Sequence, residues 1–153
     1  MPDRLSKRQR SRLMSLVRGR NTRFELLFLR SLSAEIYPMG FRYRKHCRSI
    51  FGTPDIAFPK YKIAIFLDSD FWHGRNYNEL VGRMNAFWRG KIERNMERDR
   101  EVNLKLRGDG WTVLRFGERE VKKAPTMVVR RISAALVRLS EKRANKVKRT
   151  RVR

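Results

Sequence analysis

Pro54-Asp55-Ile56-Ala57-Phe58-Pro59-Lys60-Tyr61-Lys62-Ile63-Ala64-Ile65-Phe66-Leu67-Asp68 is the stretch that decides how this chain folds. Two apolar runs, Asp55 to Phe58 and Tyr61 to Leu67, flank Pro59-Lys60, which is the composition of a β-hairpin. A strand with one wet face alternates. The second run is almost wholly apolar, so it reads as a central strand covered on both faces. The hairpin opens on Asp55 and runs out into Asp68-Ser69-Asp70-Phe71-Trp72-His73. Pairing of its two strands brings carboxylate oxygens together, the hard-ligand arrangement that Mg²⁺ demands. Acids at strand ends are common, and Asp55 after a proline also reads as a turn acid.

Outward from the hairpin, Thr22-Arg23-Phe24-Glu25 opens a helix in the manner of a capping box. It continues through Leu26, Leu27, Phe28, Leu29 and Leu32 and fails near Tyr37-Pro38, because proline disfavours helix before it. This helix is apolar nearly all round, which predicts burial. Phe41-Arg42-Tyr43-Arg44 alternates like a strand. A long helix is expected from about Asn85 to Arg107, closed by Gly108-Asp109-Gly110, then a strand from Trp111 to Phe116. Pro125 suits the first turn of a last helix ending near Ser140. The order predicts an α/β sandwich with a mixed sheet and helices on its faces.

One position in the long helix breaks the pattern. At about 100° per residue from Trp88, Leu106 falls at about 0°, Ile92 at about 40°, Val102 at about −40° and Asp99 at about 20°. Asp99 thus sits in the apolar stripe, whereas Glu93, Glu97 and Glu101 project to solvent. An inward carboxylate needs a partner: an arginine in a buried ion pair, or a histidine or metal that it orients.

Charge bounds the partner. Lys and Arg number 38 against 15 Asp and Glu, a formal net charge of +23, which a polyanion neutralises. Duplex DNA is the expected partner. RNA fits the charge alone, without a recognised RNA motif. No apolar run approaches the roughly 18 residues of a membrane span. The start, Met1-Pro2-Asp3-Arg4-Leu5, lacks the apolar core of a secretory signal, and the single cysteine, Cys47, permits no intrachain disulfide, so a cytoplasmic protein is expected. Residues 1–20 read as a basic arm, 21–140 as the folded domain and 141–153, with seven Lys or Arg, as a basic tail, both ends flexible or ordered only on nucleic acid.

Six segments in collinear order carry a resemblance: Met14 to Thr22; Gly40-Phe41-Arg42-Tyr43-Arg44; Gly52-Thr53-Pro54-Asp55-Ile56; Phe66 to Gly74; Phe87-Trp88 with Lys91 to Asp99; and Gly110 to Arg115. Together they resemble the very short patch repair (Vsr) endonucleases and the related Vsr-like homing nucleases. The resemblance implies the restriction-endonuclease-like fold, a three-layer sandwich with a central mixed sheet flanked by helices. It implies an Mg²⁺-dependent endonuclease that nicks DNA beside a T:G mismatch, acts as a monomer and is linked to a DNA cytosine methyltransferase. It places Asp55 as principal metal ligand, with the chain around Leu67 and Asp68 completing the site. His73 would be the base, Asp99 its orienting acid, and Glu25 a contributor through metal-bound water. Glu25 reads equally well as a helix-capping acid.

Phe71, Trp72 and Trp88 match aromatics that wedge into the DNA stack, although the apolar phase of Trp88 also suits the core. Arg18, Arg20, Arg42 and Arg44 are expected on DNA, Arg42 and Arg44 equally as decoration of an edge strand. The best-known Vsr enzymes hold a structural zinc. The aligned positions here are Asp70, Arg75, Tyr77 and Arg119, so no zinc is expected, and Asp68 stands where those enzymes have a histidine. Two alternatives remain: a homing or restriction-type nuclease that cuts fully paired DNA, and a DNA-binding protein without catalysis. Target sequence, oligomeric state and nick versus double-strand break are not readable at this level.

Overall fold

The computed structural model describes residues 23–70 and 73–151, together with residues 6, 8 and 9. Helix α1, Arg23–Ile36, buries Glu25, Phe28, Leu29, Leu32 and Ile36, the spacing of one helical face. Leu26 and Leu27 are 49% and 57% exposed, so all-round burial of this helix is corrected to a single stripe. The chain then turns, and strand β1 is only Arg44–Lys45, paired antiparallel with β2, Ile56–Phe58. The expected strand at Phe41–Arg44 is displaced because Phe41 drops into the core and the Arg42 guanidinium folds back onto the Tyr37 and Phe41 carbonyls.

A single 3₁₀ turn, Pro59–Tyr61, closes the hairpin to β3, Ile63–Asp68, with Ile56 opposite Ile65. Beyond β3 come a one-turn helix α2, Tyr77–Leu80, a 3₁₀ turn, Val81–Arg83, and the long helix α3, Ala86–Gly108, capped by the Asn85 side chain on the Trp88 N–H. Strand β4, Thr112–Gly117, joins β3 in parallel, giving the order β1-β2-β3-β4 with β3 inside as expected. The chain finishes with α4, Glu118–Lys123, and α5, Pro125–Arg151.

Alternation along β3 divides the core. Ile63 and Ile65 join Phe28, Leu32 and Ile36 of α1 and Val128, Ile132 and Leu136 of α5. Ala64 and Phe66, on the other face, meet Val102 and Leu106 of α3 together with Cys47 and Ile50. Helices therefore cover both faces of an open, mixed α/β sheet. No helix among the described residues is long and apolar enough to cross a membrane. The last helix continues from Glu141 to Arg151, exposed along its length, where charge alone reads as flexible or ordered only on nucleic acid.

Candidate active site

Strand pairing places Asp55 at the end of β3. The residue precedes β2, and its Oδ2 accepts a hydrogen bond from the Leu67 N–H at 2.7 Å. Burial pushes the Asp55 carboxyl above the usual carboxylate range. The Leu67 N–H pulls it back, Glu25 repels it, His46 attracts it and Asp68 repels it. Gly52, just upstream, has φ +79° and abuts α3, where an added Cβ would lie 2.5 Å from Val102 Cγ1. Only glycine fits this turn, which holds the Asp55 approach against the long helix.

A second constellation forms around His73. Its Nδ1 is 2.6 Å from Asp99 Oδ2 and 3.7 Å from Asp68 Oδ1. Parallel pairing sets Arg115 of β4 beside Phe66 of β3. The Arg115 Nη1 donates to both Asp68 oxygens, at 2.9 and 3.2 Å, and lies 3.2 Å from Asp99 Oδ1. Its Nε donates to Asn103 Oδ1, and the guanidinium covers the Phe66 ring. Burial lowers the His73 pKa, but the Asp99 hydrogen bond and the negative charges of Asp68 and Asp99 outweigh it and the opposing charge of Arg115, so the net shift is upward. Both readings of Asp99 hold at once: it bonds the histidine and pairs with an arginine.

Glu25 and His46 approach Asp55 from the other side. Glu25 is 6% exposed, and its Oε1 lies 3.2 Å from His46 Nε2. His46 Nδ1 is 3.9 Å from Asp55 Oδ1, and the His46 N–H donates to the Asp55 carbonyl. The five acid–base groups expected from the sequence, joined by His46, therefore split into two sets, Glu25–His46–Asp55 and Asp68–His73–Asp99, each with one ligand atom per residue within 4.8 Å of the others. Asp55 and Asp68, expected to share one ion, fall into different sets, and both Asp68 oxygens are engaged by Arg115. One cleft of about 340 Å³ is lined by Asp55, Asp68, His73, Asp99 and Arg115.

Sequence reasoning missed His46 and Arg115. His46 carried no signal beyond its residue type. Arg115, an arginine inside an otherwise apolar strand, was such a signal, and its partner was the inward Asp99.

Of the residues expected on DNA, Arg18, Arg20, Phe71 and Trp72 lie outside the described residues. Trp88 is half-buried and meets the Phe87 ring edge to face. Arg44 is exposed on the edge strand, whereas Arg42 stacks on Tyr37. At the positions aligned with zinc ligands, Asp70 accepts from the Arg119 N–H and lies 3.9 Å from Arg75 Nε, and the Tyr77 hydroxyl donates to Glu93. These contacts tie the loop after β3 to the start of α4 and to α3.

The sequence matches the family model for the DNA mismatch endonuclease Vsr over residues 2–79. It is 39% identical to the Type II nicking enzyme V.NmeDIP of Neisseria meningitidis serogroup C, over 88% of this chain and 90% of that one. Identity with the Type II nicking enzyme V.HpaIIP of Haemophilus parainfluenzae is 42%, over 80% and 87% of the two chains. The DNA mismatch endonuclease Vsr of Escherichia coli K12 is 31% identical over 74% of this chain and 72% of its own length. With half of its length under the family model and relatives that it spans nearly end to end, this chain belongs to the Vsr family of DNA endonucleases.

Proposed function

We propose that this Vsr-family endonuclease nicks one strand of duplex DNA at a T:G mismatch in a reaction that depends on Mg²⁺, with Asp55 as the principal metal ligand. The observation that carries the reading is the shared cleft, in which the Asp55 carboxylate and the His73–Asp99 pair face one space. The residues fit a divalent ion. Two carboxylates, Glu25 and Asp55, are near enough for each charge to oppose the other, and a cation relieves that repulsion with the oxygen donors Mg²⁺ prefers. When bound, the ion would supply Lewis-acid polarisation of the phosphate and stabilisation of the leaving oxyanion.

The chain's own groups do the rest. Asp99 accepts from Nδ1–H of His73, which leaves the Nε2 lone pair of the neutral ring to take a proton from the attacking water. Asp68 keeps Arg115 in place, and that guanidinium holds Asp99 from its other oxygen. Asp68 is thereby reassigned from metal ligand to support of the base. Glu25 borders the ion's site. One such set per chain suits a nick and a monomer, and the nicking for which the relatives are named agrees with it.

The four-stranded mixed sheet with helices on both faces supports the restriction-endonuclease-like fold, with residues 21–140 as the catalytic unit flanked by basic ends. A functional link to a DNA cytosine methyltransferase and a cytoplasmic location belong to the same reading, since both follow from mismatch repair of methylated DNA.

The test incubates the protein and Mg²⁺ with end-labelled duplexes, fully paired or carrying one T:G mismatch, beside an Asp55→Ala control, and resolves the strands on a denaturing gel. A single-strand cut confined to the mismatched duplex and abolished by Asp55→Ala is expected. Equal cutting of paired DNA would overturn the mismatch assignment, and cutting by Asp55→Ala would overturn the site.

A further inference from the structure

We propose that Arg98 is a catalytic residue: its guanidinium binds a non-bridging oxygen of the phosphate being hydrolysed and stabilises the charge that gathers there as water adds. This deepens the endonuclease reading above and rests on it, bringing a group of the long helix into the reaction.

The cleft that holds Asp55, Asp68, His73 and Asp99 is also lined by two guanidiniums, those of Arg98 and Arg115. Arg115 is committed within the fold. Its Nη1 serves Asp68 and Asp99, its Nε donates to Asn103, and its plane covers the Phe66 ring. Arg98 is exposed, and among the described residues no acid forms an ion pair with it. Glu97, just before it, pairs with Arg100, and Asp99, just after it, pairs with Arg115.

Helix geometry sets this side chain on the cleft wall. With Trp88 at zero, Arg98 falls at about −80°, next to Val102 at about −40° and on the same side as Asp99 at about 20°. Val102 and Asp99 line the cleft too. An arginine at the margin of an apolar stripe lays its stem along the wall and keeps its charged head in water. The head is thereby free to meet an anion that enters from solvent.

Electrostatics call for such a group. Three carboxylates, Asp55, Asp68 and Asp99, face the cleft, and a DNA phosphate brings a further negative charge towards them. Arg115 pairs with two of these acids. A second guanidinium, bound to none of them, lowers the repulsion that an entering phosphate meets. During hydrolysis the water oxygen bonds to phosphorus and its proton passes to His73 Nε2. The bond from phosphorus to the leaving sugar oxygen breaks, and that oxygen takes a proton from solvent. Negative charge on the non-bridging oxygens is greatest between these events, so a planar fork of N–H donors aimed at them favours the transition state over the bound substrate.

The test is a cycle of enzyme and substrate changes, run with full-length protein, Mg²⁺ and a T:G duplex whose nick position has been mapped. Single-turnover rates at saturating enzyme are measured for the unsubstituted protein, Arg98→Ala and Arg98→Lys, on the ordinary scissile phosphate and on each of its two phosphorothioate diastereomers. Arg98→Ala should lose about 10²–10³-fold in the cutting step, the cost of removing one transition-state donor. The acid limb of its pH profile should not move, because His73 and Asp99 stay in place. Arg98→Lys should recover part of the loss, since the charge survives without the fork. For one diastereomer, the losses from sulfur and from Arg98→Ala should combine to at least about threefold less than their product, as groups in contact do. An unchanged cutting rate with weaker DNA binding would overturn the proposal and make Arg98 a grip on the backbone. A rate loss with a displaced acid limb would overturn it in favour of an effect on the His73–Asp99 pair, and losses that multiply for both diastereomers would also overturn it. If the unsubstituted protein cuts paired and mismatched duplexes alike, the mismatch assignment falls, and the same cycle on paired DNA still decides the role of Arg98.

Discussion

Asp99→Asn removes one negative charge while keeping the shape of the side chain, and the consequences follow from two contacts. The missing partner of His73 is a 2.6 Å hydrogen bond, and a second Asp99 oxygen is 3.2 Å from Arg115. Hydrogen bonds to charged groups are worth about 1.5–3 kcal/mol, and at 1.4 kcal/mol per decade that is roughly a 10- to 150-fold loss in kcat. His73→Ala should lose more, about 10²–10⁴-fold, the whole contribution of a positioned base. Because Asp99 raises the His73 pKa, the acid limb of the rate profile should move to lower pH in Asp99→Asn. The stability effect has a definite sign. A raised histidine pKa stabilises the fold fully below the unfolded value of 6.5, and that stabilisation is lost as pH rises through the folded value. The thermal-stability gap between the two proteins should therefore be larger at pH 6 than at pH 9. Single-turnover nicking against pH, with melting curves over the same range, makes the measurement. A kcat within twofold of the unsubstituted enzyme, or an acid limb that does not move, would refute the assignment of His73 as the base held by Asp99.

Asp55→Asn should abolish nicking, by about 10³-fold or more given the several kcal/mol a catalytic metal supplies, yet raise the melting temperature in EDTA at pH 8. The Asp55 carboxyl titrates above its ordinary value, so folding favours the uncharged form, which asparagine mimics while still accepting from the Leu67 N–H. Arg115→Leu leaves Asp68, 5% exposed, as a buried charge without its guanidinium and should cost about 3–5 kcal/mol in urea denaturation; adding Asp68→Leu should recover part of that. Gly52→Ala should cost about 2–5 kcal/mol from left-handed strain and the collision with Val102, read by the same denaturation. Exchanging Lys146, Lys148 and Arg149 for glutamine should leave kcat unchanged while reducing the slope of log affinity against log salt by up to about 2.7, or about 0.9 for each phosphate no longer neutralised.

What could be read from the sequence was what depends on short-range pattern. The hairpin at Pro59-Lys60, the central position of Ile63 to Leu67 and the span of the long helix each announce themselves by period or punctuation within about twenty residues. Asp99 was legible for the same reason, since one polar residue in an apolar stripe violates a local rule. Its two partners were not equally visible. His73 lies in a loop whose residue types carried a family resemblance, whereas Arg115 meets Asp68 only because β4 returns beside β3 in parallel after a 23-residue helix. His46 is set by a two-residue edge strand too short to leave a pattern. The basic end departs from its sequence reading for a different reason. Glu141 to Arg151 has no glycine or proline and is rich in Lys and Arg, both good helix formers, so propensity extends α5 where charge density alone suggested disorder.

The position of the site follows from the topology. β3 and β4 run parallel and end together at Asp68 and Gly117, and ligands of open α/β sheets gather beyond the carboxyl ends of such strands. β2 runs the opposite way, so its first residues, and Asp55 ahead of them, arrive at the same end. Acids from both directions are thus concentrated where the sheet stops, in a protein whose net charge is strongly positive. Their repulsion is answered in two ways. Arg115, reaching across from β4, balances Asp68 and Asp99 from within the fold and leaves His73 aligned. Among the described residues no arginine or lysine forms an ion pair with Asp55; its neighbours are Glu25, His46 and the Leu67 N–H. With Arg115 balancing Asp68 and Asp99, and Asp55 facing the proposed ion, the groups that move the proton are separate from those that grip the phosphate. Loss of metal should then silence the enzyme without disturbing the His73–Asp99 pair.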